Sequence, residues 1–150
     1  MDKSAYPKVG VGVIVFKKEG DKEYIMMHQR RGEHGNGYWG TGGGHLELGE
    51  SLKGGALREL REEAGEAVVV DNVRFLGVMN FTAFKPKHYV DVSFAADWVS
   101  GEPTNSAPEE TTDWQWFPID NLPSPLFPPV ATYLEAIRTG KNFFDSSFDD

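Results

Sequence analysis

Residues 42–66 read GGGHLELGESLKGGALRELREEAGE: a glycine run, an acidic loop and a carboxylate-dense helix in unbroken succession. Ser51 suits a helix N-cap and Gly65 a helix stop, because a left-handed backbone conformation favours glycine. Between them Leu52, Ala56, Leu57, Leu60 and Ala64 recur at helical spacing and predict a buried stripe. Glu59, Glu62 and Glu63 stand three and four residues apart, which crowds their carboxylates onto one helical surface. Such repulsion costs a few tenths of a kcal/mol per pair, roughly. Arg58 and Arg61 are the only cations in those two turns. A hard divalent cation would relieve the repulsion by taking carboxylate oxygens; a solvated acidic face is the alternative that the helix alone leaves open. Gly54 and Gly55 each cost about 1 kcal/mol against alanine. Either something approaches the helix start closely there, or the helix start tolerates them.

Outward from this stretch, residues 9–16 (VGVGVIVF) form a β-branched run suited to a central strand. Residues 17–22 read as a turn and residues 23–29 as a returning strand ending at Arg30 and Arg31. Either guanidinium matches phosphate oxygens, and Arg31 is preferred as the nearer to the flexible loop GEHGNG at 32–37. Tyr38, Trp39 and Gly40 lead a short strand into the glycines, with Trp39 a packing anchor. Beyond the helix, residues 67–70 and 73–80 read as strand broken by a turn at Asp71 and Asn72. Residues 89–98 alternate, with Val90, Val92, Phe94 and Ala96 on one face and Tyr89, Asp91, Ser93 and Ala95 on the other. A polar loop at 101–112 precedes a final short strand, residues 113–117, with Trp114 and Trp116 on one face. A proline-rich segment and a second helix at 130–139, stopped by Gly140, follow. Residues 1–7 read as an arm and 141–150 as a loosely held acidic tail.

The 150 residues suit one domain with a real core. A net charge of −8 argues against a sequence-independent grip on a nucleic acid polymer, while a metal-chelated nucleotide remains compatible. The chain has no cysteine, so disulfides and thiolate zinc sites are ruled out. Without an apolar leader or a bilayer-length apolar run, the expectation is a cytoplasmic protein with no membrane partner. A homodimer is compatible with the sequence but not required by it.

Gly44, Glu50, Arg58, Glu59, Leu60, Glu62, Glu63 and Gly65 fit the signature of the Nudix hydrolases, and only the closing apolar position departs, being Glu66. The loop Gly43-Gly44-His45-Leu46-Glu47 resembles the MutT-type branch, although Thr41 stands where many members have proline. The resemblance implies an α/β/α sandwich with a mixed sheet. It implies hydrolysis of a phosphoanhydride in a nucleoside diphosphate-linked substrate with Mg²⁺ or Mn²⁺ as cofactor. The leading expectation is a small nucleoside triphosphate cut to monophosphate and pyrophosphate. The alternatives are an ADP-ribose or nucleotide-sugar pyrophosphatase and a silent nucleotide-binding module; an acidic Ca²⁺-binding or protein-interaction domain would leave the spacing of Glu50 and Arg58 unexplained.

Carried over by position, Glu59, Glu62 and Glu63 are expected to hold metal with the Gly44 carbonyl. Glu50 and Arg58 are expected to pair and brace the loop, and together with Glu59 and Glu62 they form the expected catalytic set, in which the general base stays open. MutT-like members often carry a further acid before the aromatic strand, and Glu110 fits that place as an additional metal ligand. His45 and Trp114 are expected beside the substrate, Trp114 stacking on the base.

Overall fold

The computed structural model describes residues 6–32 and 35–150; Glu33 and His34 of the GEHGNG loop, and the first five residues of the expected N-terminal arm, lie outside them. Strand β1 (Lys8–Glu19) forms a hairpin with β2 (Lys22–Gln29). The pairing runs from Phe16 opposite Ile25 to Glu19 opposite Lys22, so the turn is shorter than expected and lies at Gly20 and Asp21. Strands β3 (Trp39–Gly40) and β4 (Gly44–His45), helix α1 (Leu52–Ala64), and strands β5 (Val69–Phe81) and β6 (Tyr89–Ser100) come next. Strand β7 (Gln115–Pro118), helix α2 (Pro128–Thr139) and strand β8 (Phe143–Phe144) complete the order.

The sheet runs β3-β2-β1-β6-β5-β8, with β4 also on β1 and β7 on β2. β1 and β6 are parallel and β5 and β6 antiparallel, which makes the sheet mixed. β1 is central, and its two faces feed two cores. Val11, Val13 and Val15 pack with Ala56, Leu60 and Ala64 of α1, whereas Ile14 and Phe16 pack with Val130 and Tyr133 of α2. Burial on both faces is what a near-continuous Val/Ile run predicts. The α/β/α sandwich is thus observed.

Local chemistry explains the helix ends. Ser51 Oγ accepts the Gly54 N–H at 2.9 Å, a side-chain N-cap. Gly65 does end α1 at φ 89°, but with ψ 167° the chain leaves extended rather than left-handed. Gly140 stops α2 in the left-handed conformation, φ 78° and ψ 0°. α2 begins two residues earlier than expected, at Pro128 and Pro129, which the first helical turn accommodates. The α1 stripe also differs: Leu52 is exposed, while Gly55 and Glu63 are buried. Glu66 is exposed just past the helix end, so the departure from the signature there removes no packing.

Two further expectations need correcting. Asp71 and Asn72 do not break the chain into two strands; they sit in a register irregularity within β5, with Asn72 at φ 50°. The C-terminal segment is docked rather than loosely held. Phe143 and Phe144 extend the sheet beside Val78 and Met79. Ser146 accepts from the Asn80 side chain and donates to the Asn80 carbonyl, both at 2.7 Å.

Candidate active site

β2 and β4 both pair with β1 but over different stretches, and residues 41–43 cross β1 in the gap between them. The crossing is too close for side chains. A Cβ on Gly43 would lie 2.6 Å from the Val11 carbonyl oxygen, and one on Gly12 2.8 Å from that of Gly42. Gly42 and Gly43 hold φ at +90° and +153°, where L side chains are strained. A Cβ on Gly44 would meet the Glu59 carboxylate at 2.4 Å, so that carboxylate lies flat against the loop backbone. Gly43 N–H donates to Glu63 Oε1 at 2.9 Å. A Cβ on Gly55 would come within 3.0 Å of Leu46 and 3.1 Å of Glu50. Close approach, not mere tolerance, accounts for that helical glycine.

Arg58 organises the acidic side. Its Nε donates to Glu50 Oε2 at 2.7 Å, and its terminal nitrogens reach Glu50 Oε1, Glu59, Glu62 and the His45 carbonyl, each at 3.0 Å. The expected pair of Glu50 and Arg58 is therefore present, within a wider network. Hydrogen bonding to Arg58 holds the Glu50 carboxyl below its ordinary range. Burial pushes Glu59 upward and lifts Glu63 to about 8. Glu110, exposed on its loop, is near enough to add negative potential at both. It arrives there because its loop is tied to the end of α1, by Thr104 N–H to the Ala64 carbonyl and Ser106 N–H to the Glu63 carbonyl. Glu62 faces outward, more than half exposed.

Among the described residues no three acidic or imidazole side chains form a ready metal cage. The donor set nevertheless suits a hard cation: the buried Glu63 and the partly buried Glu59 repel each other and press against a glycine backbone. Mg²⁺ commonly completes its shell with water and carbonyl oxygens. Behind Glu63 lies His28, 1% exposed, its Nε2 3.6 Å from Glu63 Oε2. Among the described residues neither ring nitrogen has a hydrogen-bond partner, and burial lowers its pKa to about 4, which favours the neutral ring.

On the other side of the loop lies a cavity of about 150 Å³. The backbone of residues 42–45 forms one wall, and Phe81, Phe84, Phe127 and Tyr133 are among the residues of the others. His45 lines it too, stacked on Tyr89 at 5.6 Å between ring centres. Arg30 lines it, with its guanidinium carbon 4.0 Å from the Phe127 ring centre.

Two expected substrate residues are elsewhere. Arg31 is exposed and donates to the Pro108 carbonyl at 2.8 Å, because β2 ends at Gln29 and its successor turns inward first. Arg30, the less favoured of the pair, is the one at the cavity. Trp114 is 8% exposed in the α1-side core, its Nε1 donating to the Glu63 carbonyl at 3.0 Å. It touches the site only from behind: its ring edges His28 at 4.4 Å and would meet a Cβ on Gly42 at 3.0 Å. Trp116 is also remote from the cavity, with Lys17 4.2 Å above its ring and Nε1 bonded to Glu102. The aromatic pair braces one core and does not line this cavity.

Other residues of the cavity are not legible in the sequence. Phe84, Phe127 and Tyr133 carry no motif. Asp91 left only a weak trace, a charge in mid-strand on the face shared by Tyr89, Ser93 and Ala95. Its carboxylate stands in the cavity wall, accepting from Tyr133 Oη at 2.8 Å.

Similarity to known proteins follows the same outline. The family model for the NUDIX domain matches residues 6–137. The chain is 32% identical over 121 residues to the oxidized purine nucleoside triphosphate hydrolase of Mus musculus, covering 79% of this chain and 74% of that one. It is 34% identical over 118 residues to the NAD-capped RNA hydrolase NudC of Pseudomonas aeruginosa, covering 79% of this chain but only 39% of that protein. The crystal structure of a MutT NUDIX hydrolase from Burkholderia pseudomallei superposes with a TM-score of 0.77 at 29% identity, covering 87% of this chain and 97% of that one. Signature, architecture and these matches agree, and the chain belongs to the NUDIX family of hydrolases.

Proposed function

We propose that this protein hydrolyses nucleoside triphosphates to nucleoside monophosphate and pyrophosphate. The observation that carries the reading is the shared loop. The backbone of residues 42–45 faces the Glu59 and Glu63 carboxylates on one side and an aromatic-lined cavity on the other. A nucleoside in the cavity has its phosphates directed toward the carboxylates. The triphosphatase among the relatives supports the same assignment.

In this reaction water adds to a phosphorus, the bridging P–O bond breaks with its electron pair leaving on the pyrophosphate oxygen, and the proton of water passes to a base. The obstacle is charge, since the nucleophile approaches a polyanion. Glu59, Glu63 and Glu110, with Glu62 and the Gly44 carbonyl, would hold Mg²⁺ or Mn²⁺. When bound, such ions neutralise phosphate oxygens and lower the pKa of coordinated water. The chain's own residues do the rest. Arg58 orients Glu59 and Glu62 and, through Glu50 and the His45 carbonyl, fixes the loop against α1. Gly43 N–H fixes one oxygen of Glu63. Arg30 brings a cation to the cavity, His45 lies at its edge, and the phenylalanines exclude water around the base.

A second reading is favoured by the NudC matches: cleavage of a dinucleotide pyrophosphate, including one capping an RNA. Such a cap needs no grip on the polymer backbone, so the acidic net charge is no obstacle. The test is product release from a panel of canonical and oxidised nucleoside triphosphates, ADP-ribose, nucleotide sugars, NAD⁺ and NAD-capped RNA, with Mg²⁺ and with chelator. Metal-dependent pyrophosphate release from triphosphates is expected. Turnover confined to the diphosphate-bridged substrates overturns the first reading in favour of the second, and nucleotide binding without any turnover contradicts both.

A further inference from the structure

We propose that Asp91 is the base-selecting residue of the cavity, and that it reads the edge of a guanine-type base on which a ring N–H stands beside an exocyclic amino group. This rests on the cavity being the nucleoside pocket, as proposed above.

The geometry argues for a ligand rather than for packing. Tyr133 Oη already lies 3.0 Å from the Asp91 main-chain carbonyl, so the phenol needs no carboxylate to satisfy it. Any small side chain at position 91 would serve the fold, and a carboxylate in a partly buried wall is costly. Asp91 nonetheless places both oxygens usefully. Oδ2 accepts from Tyr133 Oη at 2.8 Å. Oδ1 has no donor among the described residues and lies on the side of Gly10, where a Cβ would come within 3.0 Å of it. Both Gly10 and Asp91 face the cavity. The missing side chain at Gly10 leaves that oxygen open.

The direction of the Tyr133 bond selects the ligand. Burial, and the neighbouring Asp91 with it, hold the phenol protonated, so Tyr133 donates and the carboxylate is stabilised as an acceptor. An ionised carboxylate has two oxygens with about four lone-pair sites and can take two parallel N–H donors while keeping Tyr133. Guanine and its C8-oxidised form present such a pair at N1–H and the 2-amino group. Hypoxanthine keeps N1–H and lacks the amino group; adenine sets a ring acceptor beside its amino group. The aromatic side chains of the cavity, Phe84 and Phe127 among them, suit any flat base and cannot discriminate among these. Asp91 can.

The test uses monophosphate binding to the intact protein by calorimetry, which requires no turnover. GMP is expected to bind at least about tenfold more tightly than IMP, and more tightly still than AMP. In Asp91→Asn the GMP-to-IMP ratio is expected to fall to within about twofold, since an amide offers only one acceptor. Tyr133→Phe, which keeps the carboxylate but removes its donor, should narrow the ratio partway. Both variants are first checked for a single cooperative melting transition no lower than that of the wild type, and a fault in one leaves the other to decide. An Asp91→Asn ratio equal to that of the wild type overturns the proposal. So does a wild type that binds GMP and IMP alike, prefers AMP, or binds none. Turnover of triphosphates with no guanine preference defeats this inference and leaves the proposed reaction standing. Asp91-dependent GMP preference in a protein that cleaves no triphosphate does the reverse.

Discussion

Two carboxylates, Glu63 and Asp91, stand on opposite sides of the central sheet, and both are pushed above the ordinary carboxylate range by burial. Glu63 rises to about 8 and Asp91 to about 6. Their surroundings differ. Glu63 sits among like charges, with Glu59 and Glu110 raising it further, and its carboxylate accepts from a backbone amide. Asp91 has no acidic neighbour contributing; a single phenol stabilises it. Repulsion among several acids is relieved by a cation. One acid with one oxygen open is relieved by a neutral donor. The α1 side thus suits polyphosphate chemistry and the α2 side suits recognition, with the glycine loop between them.

The sharpest break of this contrast is on the α1 side. Glu63→Gln should lower kcat by about 1,000-fold, some 4 kcal/mol of barrier, while leaving GMP binding unchanged. A variant with near-normal turnover removes Glu63 from the chemistry. Trp114→Ala should lower folding stability by about 3 kcal/mol, read from denaturant unfolding, because the ring fills the core behind Glu63. Weakened nucleotide affinity without lost stability would instead place that ring at the base.

Asp91→Asn tests the α2 side through pH. A carboxyl whose folded pKa is raised from 3.8 to about 6 is easier to protonate folded than unfolded. The native state therefore bears no penalty below about pH 4 and accumulates one as pH rises through 6. Replacing it with a neutral amide should stabilise the protein at pH 8 by about 3 kcal/mol and at pH 4 by less than about 1 kcal/mol. Equal unfolding midpoints at pH 8 would show that Asp91 is not strained by burial. The smallest effects separate the two arginines: Arg30→Lys should raise KM about tenfold through loss of the planar guanidinium, while Arg31→Ala should change KM less than about twofold. The opposite ranking would restore Arg31 to the phosphate.

The contrast also explains what the sequence made legible. Glu59, Glu62 and Glu63 lie on one helix, so spacing grouped them, while the expected places of Gly44, Glu50 and Arg58 beside them came from the resemblance to the Nudix signature. The cavity has no such local code. Asp91 comes from β6, Tyr133 and Phe127 from the α2 region, Phe84 from the β5–β6 loop and Gly10 from β1, and only the assembled sheet brings them together. The alternation along residues 89–98 did separate Asp91 from Val90 and Val92, but which face meets α1 and which meets α2 depends on where the helices dock. Trp114 misled because period-two alternation says that two tryptophans share a face without saying which layer it faces. The tail misled because acidic composition said nothing of Asn80, whose side chain and carbonyl hold Ser146.

The most direct test of the account is phosphorus NMR of a single reaction, GTP with Mg²⁺ and the wild-type protein. Resonances of GMP and pyrophosphate should grow together in equal amounts, and neither should appear with chelator. Accumulation of GDP and inorganic phosphate, or GTP persisting unchanged while the diphosphate-bridged substrates are cleaved, would contradict it.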